Sequence, residues 1–215
     1  MSRLTTTLAC MLAAQLTALA MQAALDPRAV SEAIAIGQTR ADRDRARFHA
    51  PYRLVVGKPP VDAVEVITPF RRVELVAEAR AQVGDRTFSQ RQALEMLSAT
   101  PPGLEVQVEF TFHPLNTYVG VPDYVISLIG RDGVRVRPDA IDRTPRYGAR
   151  VEGSPLPLPV PGGLIVPKES QPMLGGTVTA RFDLRAVVPD GQYDVVIDEA
   201  KKELARVRAS LERMR

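Results

Sequence analysis

Cysteine is almost missing from this 215-residue chain, which contains only Cys10. If the N-terminal segment that carries Cys10 is removed, the remaining chain can form no disulfide, supply no thiolate nucleophile and offer no cysteine ligand to zinc. Histidine is nearly as scarce, with two residues in the whole chain. The composition therefore predicts neither a cofactor nor a metal site, and the protein must rely on its own hydrophobic core for stability.

A strong charge of one sign is also missing. The chain has 28 basic and 25 acidic residues, for a net charge of +3, and loss of Arg3 with the N-terminal segment would leave 27 basic residues and a net charge of +2. A clustered basic stripe is not evident, so we do not expect nucleic-acid binding. The bias toward arginine, with 24 arginines against 4 lysines, is typical of a GC-rich bacterial genome.

The most apolar segment lies at the N-terminus. Arg3 gives a positive start, residues 4–20 follow without a charge, and Ala18 and Ala20 supply small side chains where a signal peptidase requires them. This order predicts a signal peptide over residues 1–20 that is cleaved after Ala20, with Ala24 as the alternative position. The protein is then periplasmic or secreted.

The segment has two other interpretations. Residues 4–25 are just long enough to span a bilayer, which needs about 20 apolar residues, so an uncleaved anchor is one alternative. Four threonines and two glutamines weaken it. Lipid attachment at Cys10 is the other, but only six residues separate Arg3 from Cys10, which is too short for a lipoprotein leader. Membrane contact is expected only if the leader is retained.

Residues 26–100 predict a helical region with short strands. Asp26-Pro27 begins a helix expected to reach about Arg47, and Thr68-Pro69 begins another that ends near Gly84. Ser89 caps a further helix, so the last two helices predict a helical hairpin. Between the first two of these helices we expect two short strands, one in "APYRLVVGKPP" that enters a proline turn and one over "AVEVI".

Residues 103–215 predict an antiparallel β-sandwich. In "LEVQVEFTFH" apolar and polar residues alternate over ten positions, which indicates a strand with one buried face. "YVISLIG" and "VRVR" flank Asp132-Gly133, a pair typical of tight hairpin turns. "TVTARFDLRAV" alternates in the same way. The fold class expected is α+β, with N-terminal helices followed by a sandwich that is Ig-like in architecture.

Two segments are harder to interpret. "GSPLPLPVPGGLIVP" contains five prolines, so it predicts an edge segment or a crossover loop and cannot be a central strand. Residues 199–215 can be aligned as a helix or as a strand. We favour a strand that closes a hairpin with "YDVVID", because that outer strand otherwise lacks a neighbour in sequence, although intrinsic propensity favours a helix.

Catalytic motifs are not found. Neither His49 nor His113 has an aspartate or glutamate at a metal-ligand spacing in the sequence. Ser154 is followed by proline and lacks the glycines of a nucleophile elbow. Glu74, Glu78 and Glu203 lie among arginines at helix-surface spacing, which is typical of solvated ion pairs. No catalytic residue is therefore predicted.

A candidate binding surface lies in the segments that bound the predicted strands. Loops are where sandwich proteins place contact residues, and tyrosine and arginine are frequent contact types. The alternative is that these tyrosines pack loops onto the sandwich. The candidate residues, all placed in loops, are Tyr118, Tyr124, Arg146 and Tyr147.

These observations favour a non-catalytic binding or assembly module of the bacterial cell envelope. Its partner would be an envelope protein or polymer, and a partner strand adding to an open sheet edge is one physical route. Two other hypotheses stay open: an envelope hydrolase that uses scattered carboxylates, and a membrane-anchored structural protein.

Overall fold

The structure, a computed structural model, describes residues 25–99, 101–113, 116–148 and 173–215. The predicted leader and the proline-rich segment lie outside the described residues. The chain is an α+β protein of four helices and two antiparallel sheets in its described part. The elements are α1 (Pro27–Gly37), α2 (Asp42–His49), β1 (Arg53–Lys58), β2 (Val61–Ile67), α3 (Pro69–Gln82), α4 (Gln90–Ala99), β3 (Gly103–Thr111), β4 (Tyr124–Gly130), β5 (Arg135–Val136), β6 (Ala140–Tyr147), β7 (Met173–Asp183), β8 (Gln192–Glu199) and β9 (Lys202–Ser210).

The larger sheet has the strand order β1-β2-β3-β7-β6. Its centre is the long antiparallel pair of β3 and β7, in register from Gly103–Asp183 to Thr111–Gly175. β2 pairs with β3 from the other side. β2 comes from the predicted helical region and β3 from the predicted sandwich region. The boundary expected near residue 103 therefore falls within this sheet.

The smaller sheet has the order β5-β4-β8-β9. β4 and β5 form the predicted hairpin, in which Gly133 adopts a φ of +78° that residues with a Cβ rarely adopt. β8 and β9 form a second hairpin, so the strand interpretation of residues 199–215 is confirmed over Lys202–Ser210. Tertiary pairing and a buried face with Ala205 and Ala209 here override the high helix propensity of the segment.

The two sheets share one hydrophobic core. The alternating residues of β3 that the sequence predicts to be buried are buried, and Phe110 of the larger sheet stacks on Tyr124 of the smaller, with ring centroids 4.1 Å apart. Aliphatic side chains from β4, β7 and β8 complete the contact. This core contains, among others, Val106, Val108, Ile126, Leu128, Val178, Phe182, Val195 and Ile197.

The helices form a second, smaller core. α1 packs closely against α3 and also against α4, whereas the direct packing of α3 on α4 that a helical hairpin predicts is at most slight. α4 has only one buried residue, Ala93, so it offers little surface for pairing. Phe48 lies against both cores and links them.

The helix starts are confirmed. Asp26 caps α1 by accepting a hydrogen bond from the Ala29 amide at 2.7 Å, and Thr68 caps α3 by accepting one from the Arg71 amide at 3.1 Å. The single helix predicted from Pro27 to Arg47 is wrong, because α1 ends at Gly37 and α2 begins at Asp42. Gly37 lies so close to α3 that a Cβ there would be 2.3 Å from the Glu74 carbonyl oxygen, and the chain turns away beyond this contact.

Candidate functional site

Tyr124 is buried, unlike the other three predicted contact residues. Its side chain is fully buried between the two sheets, stacked on Phe110. Burial raises the pKa of the Tyr124 hydroxyl well above its usual range, so the side chain stays neutral. Tyr124 thus fits the packing alternative that the sequence left open.

Tyr118 and Tyr147 lie at one end of the larger sheet, where β3 and β6 end and β7 begins. Tyr147 pairs with Met173 at the start of β7, and the Asn116 amide, two residues before Tyr118, donates a hydrogen bond to the Met173 carbonyl at 2.9 Å. The Tyr118 ring meets the Phe112 ring edge-on, with centroids 5.0 Å apart. The ring of Tyr118 and the backbone of Tyr147 are therefore held in place while close to half of each residue stays exposed.

Two aliphatic residues extend this surface. Val119 follows Tyr118 and is 98% exposed, and Leu174 follows Met173 and is 38% exposed. The Leu174 carbonyl accepts a hydrogen bond from the Phe112 amide, so Leu174 is held at the same sheet end. We name this surface the tyrosine end and define it as Tyr118, Val119, Tyr147 and Leu174.

Arg146 lies beside the tyrosine end but is engaged within the chain. Its Nη2 atom donates to the Thr111 hydroxyl at 2.8 Å and to the Phe110 carbonyl at 3.2 Å. Gly175 makes this reach across the sheet feasible, because a Cβ at that position would be 2.8 Å from Nη2. Arg146 therefore clamps β6 to β3 over β7.

The loop predicted around Arg146 and Tyr147 is wrong, since both residues belong to β6. Pro145 in the sequence argues against a central strand, but β6 is the last strand of its sheet, where a missing amide is tolerated. Three of the four predicted residues thus lie at one sheet end. The fourth is in the core.

A second cluster was missed by the sequence and joins α2 to α3. The His49 Nε2 atom lies 3.0 Å from Glu74 Oε1 and 3.5 Å from Glu78 Oε2. Glu74 and Glu78 are four residues apart on α3 and so share one helix face. The described part of the chain contains no other group of three such residues close enough to hold a metal ion.

Two arginines complete this cluster. Arg71 Nη1 contacts Glu74 Oε2, and Arg71 Nη2 lies 2.8 Å from Glu65 Oε1. Arg45 Nε lies 3.2 Å from Glu78 Oε1. Each glutamate of the cluster therefore has one oxygen on an arginine and the other directed toward His49.

The expectation of solvated ion pairs at Glu74 and Glu78 is wrong for Glu74. Glu74 and Arg71 are both buried, and the side chain of Glu78 is mostly covered. The i, i+4 spacing of the glutamates was visible in sequence, but the approach of His49, 25 residues earlier than Glu74, depends on the turn between α1 and α2 and has no local signal.

Tyr52 borders the cluster and supports Arg71. The Arg71 guanidinium lies 5.5 Å from the centroid of the Tyr52 ring, within the range of a cation–π contact. Burial raises the pKa of Tyr52, and its hydroxyl oxygen accepts a hydrogen bond from the Arg215 amide at 2.9 Å. Tyr52 is thus a neutral structural residue that ties the end of the sequence to the helices.

Among the described helices, none is both long and apolar enough to cross a bilayer. Comparison of the chain with protein families, with curated proteins and with solved structures gave no match.

Proposed function

We propose that the protein is an exported, non-catalytic binding or assembly module of the bacterial cell envelope, in which the two sheets form an Ig-like sandwich. The leader pattern of residues 1–20 supports export. The shared core between two antiparallel sheets supports the sandwich. The partner is a protein of the same compartment.

The observation that carries the binding role is the tyrosine end. Exposed apolar residues scattered singly need no explanation, but here four lie together at one sheet end. The Tyr118 ring rests against the Phe112 ring and the Tyr147 backbone is fixed by its pairing with Met173, which limits the entropy lost when the two residues bind a partner. Rigid aromatic residues of this kind dominate binding energy in protein interfaces.

The sheet order suggests how the partner approaches. β6 is an edge strand, and within the described residues no strand pairs with its outer side. Such an edge can accept an extended segment of another protein by main-chain hydrogen bonding, while neighbouring side chains select the sequence. Pro145 lacks an amide and limits the length of edge that can pair. We propose that an extended segment of an envelope protein binds β6 and contacts the tyrosine end.

Photo-crosslinking in intact cells tests this proposal. A benzoylphenylalanine placed at Val119 or at Tyr147 is expected to give one discrete protein adduct, since both side chains face the proposed partner. Val83, at the end of α3, is the matched control, because it is also a valine and is 83% exposed. It should give no such adduct.

Two results would contradict the proposal. One is the absence of any discrete adduct from both positions of the tyrosine end. The other is the same set of adducts from Val83, which would show unspecific contact. Replacement of Tyr118 by serine in the chain that carries the crosslinker at Tyr147 should reduce the adduct, and replacement of Val83 by serine should not.

A further inference from the structure

The cluster of His49, Glu74 and Glu78 has the geometry of a cation site. Its three donor atoms are the imidazole nitrogen Nε2 and one oxygen of each carboxylate, and all lie within 4.8 Å of one another. Zinc and similar cations bind such donors at about 2.0–2.2 Å, which places neighbouring donors of a tetrahedral site about 3.3 Å apart. The measured separations from Nε2, 3.0 and 3.5 Å, lie on either side of this value.

The surroundings hold the donors in place. Arg71 binds the far oxygen of Glu74, and Arg45 binds the far oxygen of Glu78. Outer contacts of this kind orient metal ligands and are a regular part of metal sites. They leave one oxygen of each carboxylate directed at the same point as Nε2.

The burial of the cluster is graded. Glu74 is fully buried, while Glu78 and His49 are partly exposed, with 14% and 24% of their side chains accessible. A cation can therefore enter from the side of α2 and reach a carboxylate that water does not surround. The Glu74 carboxylate thus differs from exposed carboxylates, in which both oxygens stay hydrated.

We propose that His49, Glu74 and Glu78 form a binding site for a divalent first-row transition-metal cation, of which Zn²⁺ is the probe. One nitrogen and two carboxylate oxygens suit such a cation better than Mg²⁺ or Ca²⁺, which prefer oxygen ligands alone. Three protein ligands leave a fourth position for a water molecule. Because α2 has no fully buried residue, the bound cation would also fasten α2 to α3.

The rival interpretation is that His49 only contacts the two carboxylates and holds α2 against α3 without a metal ion. The two interpretations differ in what Zn²⁺ does. In the site, Zn²⁺ binds Nε2 and both carboxylates with one equivalent. In the metal-free contact, the two arginines and His49 satisfy the carboxylates and Zn²⁺ finds no specific position.

Isothermal titration calorimetry of the purified, chelator-treated protein with Zn²⁺ separates them. We expect one site per chain and at least about tenfold weaker binding in His49→Asn and in Glu78→Gln, since each removes one ligand. His113→Asn and Glu95→Gln are the matched controls, because His113 is the second of the two histidines and Glu95 is an exposed helix glutamate. Both should bind Zn²⁺ like the unaltered chain.

A second measurement requires no substitution. In nitrogen NMR of the two imidazoles, Zn²⁺ should shift the Nε2 signal of His49 and leave both signals of His113 unchanged. Absence of binding to the unaltered chain would overturn the proposal. So would Zn²⁺ binding that persists undiminished in a folded chain carrying both His49→Asn and Glu78→Gln.

Discussion

At the residue scale, Arg71 and Glu74 form an ion pair in which both side chains are buried. Replacement of Arg71 by methionine leaves the Glu74 carboxylate buried without its guanidinium. Since removal of one partner of a buried ion pair is strongly destabilising, we expect the free energy of unfolding to fall by about 3 kcal/mol. Urea denaturation measures this change.

The control is Arg91→Met on α4. Arg91 and Glu95 form an exposed pair at 3.8 Å, and exposed pairs contribute about 0–1 kcal/mol. If Arg71→Met lowers the free energy of unfolding no more than Arg91→Met does, the buried pair of Arg71 and Glu74 does not stabilise the fold.

Glu109 provides a prediction about pH. The hydrogen bonds from Arg53, at 2.7 and 2.8 Å, lower the pKa of the Glu109 carboxyl below its ordinary value. A lowered pKa in the folded state means that the pair stabilises the protein above the unfolded pKa of Glu109, and that this contribution is lost as the pH falls through the folded pKa.

Arg53→Gln should therefore lower the free energy of unfolding at pH 7, by at most about 1 kcal/mol because the pair is partly exposed, and the loss should shrink toward zero in acid. Carboxyl-carbon NMR should show the pKa of Glu109 rising toward its ordinary value in this variant. An unchanged pKa of Glu109 in this variant would show that Arg53 does not cause the lowered value.

Three tyrosines and one glutamate show where prediction from the sequence succeeds and where it fails. Tyr118 and Tyr147 were identified because their residue type and position favour contact surfaces, and both are exposed. Tyr124 has the same residue type but lies in the core, and Glu74 lies inside the fold although Arg71 and Arg72 are close to it in sequence. Burial of these two depends on which distant strand or helix covers them, which local sequence does not contain.

At the element scale, Gly37 sets the distance between α1 and α3. A Cβ at this position would lie 2.3 Å from the Glu74 carbonyl oxygen and 2.8 Å from the Ala77 Cβ, so Gly37→Ala forces the helices apart. Helix propensity alone predicts that alanine stabilises α1, whereas the overlap predicts destabilisation by about 2 kcal/mol. The sign of the change in urea denaturation decides between them.

Gly120→Ala is the matched control for this experiment. No atom lies within 4 Å of a Cβ built at Gly120, so the free energy of unfolding should change by less than about 0.5 kcal/mol. A stabilised Gly37→Ala variant would contradict the close packing of α1 on α3.

The elements with strong periodicity could be predicted from the sequence. The ten-residue alternation of β3 and the Asp132-Gly133 turn between β4 and β5 are confirmed, since each depends on neighbours in the chain. Arg146 and Tyr147 are predicted in a loop, whereas both lie in β6, whose pairing with β7 at the edge of the sheet tolerates Pro145. The break between α1 and α2 follows from the contact of Gly37 with α3, which is also a tertiary feature.

At the scale of the whole molecule, the sequence predicts two facing β layers but not their strand order. β3 pairs with β7, about seventy residues later, and β2 joins the same sheet from the helical region. The alternation of apolar and polar residues indicates which face of a strand is buried, but it does not indicate which strand lies beside it. The tyrosine end depends on this order, and the cluster around His49 depends on the turn between α1 and α2, so neither could be assembled from the sequence.

Export from the cytoplasm is the premise of the proposed function, because it decides which partners the tyrosine end can meet. The mass and N-terminal sequence of the natural protein, measured separately in the cytoplasmic, periplasmic and secreted fractions, test it most directly. We expect a chain that begins at Met21, after cleavage behind Ala20, in the periplasmic or secreted fraction. An intact chain that begins at Met1 or Ser2 in the cytoplasmic fraction would contradict it.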